Sequence, residues 1–205
     1  QEQSRVAALR EDPALDYRLF EAVLATLNSL AGTPAAGITD AGMLLERIAN
    51  PDVPPRIRSF ALRLLDPGSP KLTAGLLTEL LAAADSTLTR EVIRSLAVRG
   101  DPLAQRFLRQ LSADPALPEA LRADAVAGLA AADPDSLAVL VTLAGVTSRP
   151  VREEALRSLR FGSLTAEQQS VISGLAEDFP ESADLIAAVL EPGSLPQGRP
   201  PRDEA

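Results

Sequence analysis

The sequence predicts an all-α protein, an α-α superhelix of about five to six helix pairs stacked in a row. Three observations predict it: prolines set behind helix-capping residues, apolar residues recurring at spacings of three and four, and self-similarity about every 30 residues. No alternating apolar–polar run reads as a strand, so no β-structure is expected.

The prolines come first. Asp12-Pro13, Asp66-Pro67, Asp101-Pro102, Asp114-Pro115 and Asp133-Pro134 are Asp-Pro steps, and Thr33-Pro34 and Ser69-Pro70 resemble them. An Asp, Ser or Thr oxygen can accept a bond from an orphan N–H at a helix start, and proline suits the first helical position because it lacks that N–H. Thr165 with Gln168 adds the pattern of a capping box. Between these marks the apolar spacing predicts helices over 14–31, 39–49, 54–65, 71–84, 87–99, 102–112, 118–131, 135–145, 150–160, 166–178 and 182–190, with a short one at 3–11. The repeat domain therefore spans 1–190. Residues 191–205 are rich in proline without apolar periodicity, and read as a tail or linker.

The period shows in four aligned copies. An apolar residue is followed by small or apolar residues four and five later and by Leu at eight: Ile57, Ala61, Leu62, Leu65; Leu88, Val92, Ile93, Leu96; Leu121, Ala125, Val126, Leu129; and Val151, Ala155, Leu156, Leu159. The intervals are 31, 33 and 30 residues, and Leu19, Val23, Leu24 and Leu27 form a weaker first copy. Another amphipathic helix precedes each copy. A single helix hairpin cannot bury its apolar face alone, so such units are expected to stack on their neighbours.

Two of these copies carry a family resemblance. Leu121-Arg122-Ala123-Asp124-Ala125-Val126-Ala127-Gly128-Leu129 and Val151-Arg152-Glu153-Glu154-Ala155-Leu156-Arg157-Ser158-Leu159 resemble the second helix of HEAT-like repeats, in particular the short-period type found in phycobilisome lyases. The likeness covers roughly residues 15–190 and implies a binding scaffold, or alternatively a ligand-binding or lyase-like protein. The Arg-rich repeats followed by Gln197-Gly198-Arg199-Pro200-Pro201-Arg202-Asp203 also resemble the segment preceding a c-type cytochrome domain in large exported planctomycete-type proteins. That likeness implies structural support for a neighbouring cytochrome domain and an extracytoplasmic location; without it a cytoplasmic location is expected. The haem-attachment motif is absent from these 205 residues.

Composition narrows the chemistry. Apolar residues make up 46% of the chain but aromatics only 3%, which suits thin layers of closely packed aliphatic helices. There is no cysteine and no histidine, so thiolate nucleophiles, the usual general base and the ordinary zinc and haem ligands are missing. Neither a Gly-rich phosphate loop nor a Ser-x-x-Lys motif occurs. Glu11-Asp12 and Glu153-Glu154 are adjacent acids, and helical neighbours point about 100° apart, so they do not converge on one substrate atom. No catalysis, cofactor or metal is expected. The formal net charge is −8, which argues against nucleic acid as a partner. The longest apolar stretch, Leu137 to Val146, is too short to span a bilayer. The chain starts at Gln1, as expected of a processed product or a piece of something longer.

The arginines of the repeat separate by angle. Taking about 100° per residue, Arg58, Arg122 and Arg152 follow the first apolar position and point toward the next repeat. They are expected to form an inter-repeat ladder with loop acids or carbonyls. Arg63, Arg94 and Arg157 lie six positions in, on the outward face, where Glu91 and Glu153 are placed to pair with them. This row is the candidate surface for a protein partner or an adjoining domain of the same polypeptide.

Overall fold

The computed structural model of the protein describes residues 17–30 and 41–191. Its helices are α1 (Tyr17–Leu30), α2 (Ala41–Ala49), α3 (Pro55–Leu64), α4 (Ala74–Ala82), α5 (Ser86–Arg99), α6 (Pro102–Ala113), α7 (Glu119–Ala127), α8 (Pro134–Leu143), α9 (Arg149–Leu159), α10 (Ala166–Asp178) and α11 (Ala183–Leu190), with a 3-10 turn at Pro180–Ser182. No strand occurs among the described residues. No described helix is long and apolar enough to cross a membrane. The helix expected at 3–11 and the tail after Glu191 lie outside the described residues.

Helix starts follow the capping chemistry in part. Thr73, Asp85, Asp133 and Thr165 cap α4, α5, α8 and α10 through their side-chain oxygens, and Thr165 with Gln168 closes a full capping box. Asp101 accepts from the Ala104 N–H at 2.8 Å. Two Asp-Pro steps do something else: Asp66 accepts from Gly68 N–H and Asp114 from Ala116 N–H, both at 2.9 Å, and each closes a turn two residues on. The same carboxylate thus starts a helix or a turn, depending on what apolar sequence follows. Gly100, at φ +62°, ends α5 in the left-handed conformation that glycine adopts without steric cost.

The chain divides into two compact units, 1–104 and 105–205, with the division falling inside α6. In the first, α2 packs on α3 and α4 on α5, while α3 lies directly against α5. Tyr17 and Phe20 of α1 meet Phe60 of α3, with ring centroids 5.6 and 5.7 Å apart. In the second unit α8 packs on α9 and α10 on α11, and α9 touches both α7 and α11. Each unit follows the α-α superhelical plan. Within the units, the second helices α3 and α5, and α7, α9 and α11, lie side by side in a row, and α2, α4, α8 and α10 back α3, α5, α9 and α11.

The sixteen positions of the four aligned copies are all buried. Fully burying a side chain of valine or leucine size contributes about 1.5–3 kcal/mol, so within each unit this seam is a large favourable term in folding. The weaker first copy needs correcting. Leu19 is 49% exposed, whereas Phe20 and Val23 are buried. The Phe20 ring packs against Phe60 and takes the place expected for Leu19, while Val23 stays buried as the copy expects. The side chains of Leu24 and Leu27 lie outside the described residues.

Candidate interaction surface

Of the three arginines expected to bridge repeats, two do not. Arg58 Nε donates to the Ile48 carbonyl at 2.9 Å, and Arg122 Nε donates to the Ser112 carbonyl at 3.1 Å. Both acceptors lie in the last turn of the preceding helix of the same pair. Carbonyls there have no intrahelical donor, and a cation at that end also complements the helix dipole. These side chains therefore staple a helix to its own partner. Burial pulls the Arg58 guanidinium below its usual value, and Glu79 on the next pair pushes back. Thr89 occupies the same position in the copy that starts at Leu88.

Of these three, only Arg152 hydrogen-bonds to the neighbouring pair. Its Nη1 donates to the carbonyls of Val146 (3.0 Å) and Thr147 (3.2 Å), and its Nε to Ser182 Oγ (3.2 Å). It ion-pairs with Glu181, and its guanidinium sits 4.0 Å over the Phe179 ring. Only 2% of its surface is exposed.

A second polar cluster lies at α6 and α8, and the sequence reading missed it. Gln105 is buried: its amide donates to the Gly128 carbonyl at 3.0 Å, and its oxygen accepts from the Ala130 N–H at 2.9 Å. These two bonds hold the backbone just past α7. They are one reason that helix stops at Ala127 rather than running on to 131. Beside it, Asp133 accepts from the Ser136 hydroxyl (2.7 Å) and from Arg109 (2.7 Å). The Ser136 hydroxyl, then the Ser136 N–H and Arg109, hold the Asp133 carboxyl below its ordinary value against the opposing effect of burial. Gln105→Leu takes a donor from the Gly128 carbonyl and an acceptor from the Ala130 N–H, both bonds part-buried, and is expected to cost about 1 kcal/mol of stability by urea unfolding. A cost near that of an exposed substitution would show that the amide holds nothing.

The outward arginines split between the two units. In the first, Arg63 and Arg94 converge on one carboxylate: Glu91 lies 4.0 Å from Arg63 and 2.6 Å from Arg94. Arg94 also donates to the Arg63 carbonyl at 3.3 Å, linking α5 to α3. The Arg63 guanidinium lies 4.6 Å over the Tyr17 ring, and that of Arg56 lies 5.6 Å over Phe60. Burial, and then a hydrogen bond to Glu21, push the Tyr17 phenol above its usual value. Arginine thus alternates with aromatic rings across α1, α3 and α5. These helices carry seven arginines against two glutamates, Glu21 and Glu91, although the chain as a whole is acidic.

Arg157, in the second unit, is matched differently. It pairs with Glu153 at 2.9 Å and Glu154 at 2.8 Å, and Arg149 shares Glu153 at 2.6 Å. Arg149 first, with Arg157 also contributing, holds the Glu153 carboxyl below its ordinary range. Arg157, Ser158 and Phe161 border an open depression of about 320 Å³ floored by Ala127, Ala130 and Ala131. Phe161 is 79% exposed at its lip. The structure thus joins Arg63 with Arg94 and leaves Arg157 in a separate, charge-balanced cluster.

No protein-family model matches the chain, nor does any curated protein sequence. Among solved structures, the chain is similar to an engineered protein whose crystal structure comes from the Northeast Structural Genomics Consortium. The TM-score is 0.50 at 22% identity, over 94% of this chain and 96% of that one. The likeness is one of fold alone.

Proposed function

We propose that the protein is a non-catalytic interaction scaffold or spacer, of the HEAT-like kind that its repeats resemble, and that it presents helical surface to a partner protein or an adjoining domain. One observation carries the reading. Arg18, Arg56, Arg63, Arg90 and Arg94 on α1, α3 and α5 are exposed or half-buried beside Tyr17 and Phe60, against two half-buried glutamates, Glu21 and Glu91, in a chain of net charge −8. Arg63 and Arg94 are close to half exposed and share one glutamate, so this face has cationic donors and ring surface to offer an acidic segment. Arginine and tyrosine are also the side chains most often found at the energetic centre of protein interfaces. The partner class that fits is an acidic polypeptide segment with apolar side chains.

The test is direct binding. A fluorescent Glu/Asp-rich peptide carrying two leucines is titrated with the full chain, beside a Lys-rich peptide of equal length. The acidic peptide should bind, binding should weaken with salt, and Arg63→Gln/Arg94→Gln should weaken it about tenfold. Equal affinity for both peptides, or no effect of the double substitution, would remove this face from the account.

A further inference from the structure

We infer that the basic face of α1, α3 and α5 takes as its occupant the acidic terminal hairpin, α10 to α11, of a second copy of this chain. The inference rests on the reading of that face as an interaction surface and names what sits on it.

Charge placement points to this occupant. Residues 161–191 contain six acidic side chains and no basic one, so this short segment accounts for most of the excess negative charge of the molecule. Glu181 is taken by Arg152. Glu177, Asp178 and Asp184 are exposed and have no ion pair among the described residues. Apolar surface accompanies them: Val171, on the same helix as Glu177, is 51% exposed, and Ile172 is the one buried residue of that helix. Leu19 and Val98 supply exposed apolar surface on α1 and α5 in the same way.

Each chain therefore carries a basic set of helices and an acidic terminal hairpin, both with exposed aliphatic side chains. Opposite charge steers two such surfaces together and sets their register, while like-charged pairings are rejected. The contact joins different patches on the two copies, so it is heterologous. It is sensitive to salt because both surfaces are solvent-exposed in the free chain.

The experiment uses the full chain and two neutralised variants in sedimentation velocity. The wild-type protein should show a mass that rises with concentration at low ionic strength and returns to the monomer at about 0.5 M salt. Arg63→Gln/Arg94→Gln and Glu177→Gln/Asp178→Asn should each remain monomeric alone, with far-UV spectra and melting curves like those of the wild type. Mixed in equal amounts they should associate again, because one keeps the acidic end and the other keeps the basic face. Persistent association of either variant alone, or a mixture that stays monomeric, overturns the inference. A wild-type chain that is monomeric at every concentration overturns it too. If the face still binds the acidic peptide in that case, its role as a docking surface stands with a different occupant.

Discussion

Replacing Arg152 by alanine is expected to lower the unfolding free energy by about 3 kcal/mol. The side chain is buried, and its removal strips donors from the Val146 and Thr147 carbonyls and a partner from the buried Ser182 hydroxyl. It also leaves a void beside the Phe179 ring, over which the guanidinium lay. The ion pair contributes the smallest part. The Glu181 side chain is 43% exposed, so its carboxylate is readily hydrated when the arginine is gone. Glu181→Gln should accordingly cost less than about 1 kcal/mol. Arg152→Lys should fall between the two, since an ammonium cannot serve three acceptors and stack on a ring at once. Equal losses for Arg152→Ala and Glu181→Gln in urea unfolding would mean that the carbonyl and ring contacts contribute nothing.

What the sequence revealed and what it hid follow from the reach of each interaction. The aliphatic seam was legible because a helix repeats its direction every three to four residues, so the buried positions must recur with that period. Glu91 beside Arg94 was legible for the same reason, as a one-turn neighbour. That Arg63 from another helix would share Glu91 depended on how α3 packs on α5, which the spacing within one helix does not specify. Arg58 and Arg122 find carbonyls, as expected, but within their own pair rather than on the next repeat. The angle of a Cα–Cβ bond says where a side chain sets out, yet a long guanidinium can turn back to the strongest acceptor nearby. Here that acceptor is an unpaired carbonyl ten residues upstream in both cases. That equal spacing was a usable signal. Gln105 was harder to find, because its partners Gly128 and Ala130 belong to a turn where the apolar pattern predicted more helix. A polar residue set between Ala104 and Leu108, both buried, was the available hint. In α1, both Leu19 and Phe20 fit an apolar stripe, and the ring surface of Phe60 decided between them.

The charge pattern was visible in the sequence only as a total. A net charge of −8 hides a division into a basic set of helices and an acidic terminal segment. The division acquires meaning once α1, α3 and α5 are seen to adjoin, since it is then a property of a surface.

The second large effect concerns the seam itself. Leu65, Leu96, Leu129 and Leu159 occupy the same place in four successive copies, two in each compact unit, and each is buried. If every hairpin depends on its neighbours for a dry apolar face, no copy is a passive spacer between better-packed ones. Truncating any of the four removes the transfer free energy of a leucine and leaves a cavity that rigid neighbouring helices fill only in part. Leu19, equally apolar but half exposed, provides the contrast.

Urea unfolding of Leu65→Ala, Leu96→Ala, Leu129→Ala and Leu159→Ala, measured beside Leu19→Ala, tests this most directly. A seam shared by the two copies within each unit requires all four to lose about 2–4 kcal/mol while Leu19→Ala loses less than about 0.5 kcal/mol. Any one of the four behaving like Leu19→Ala would contradict it, because that hairpin would then stand without its neighbour's support.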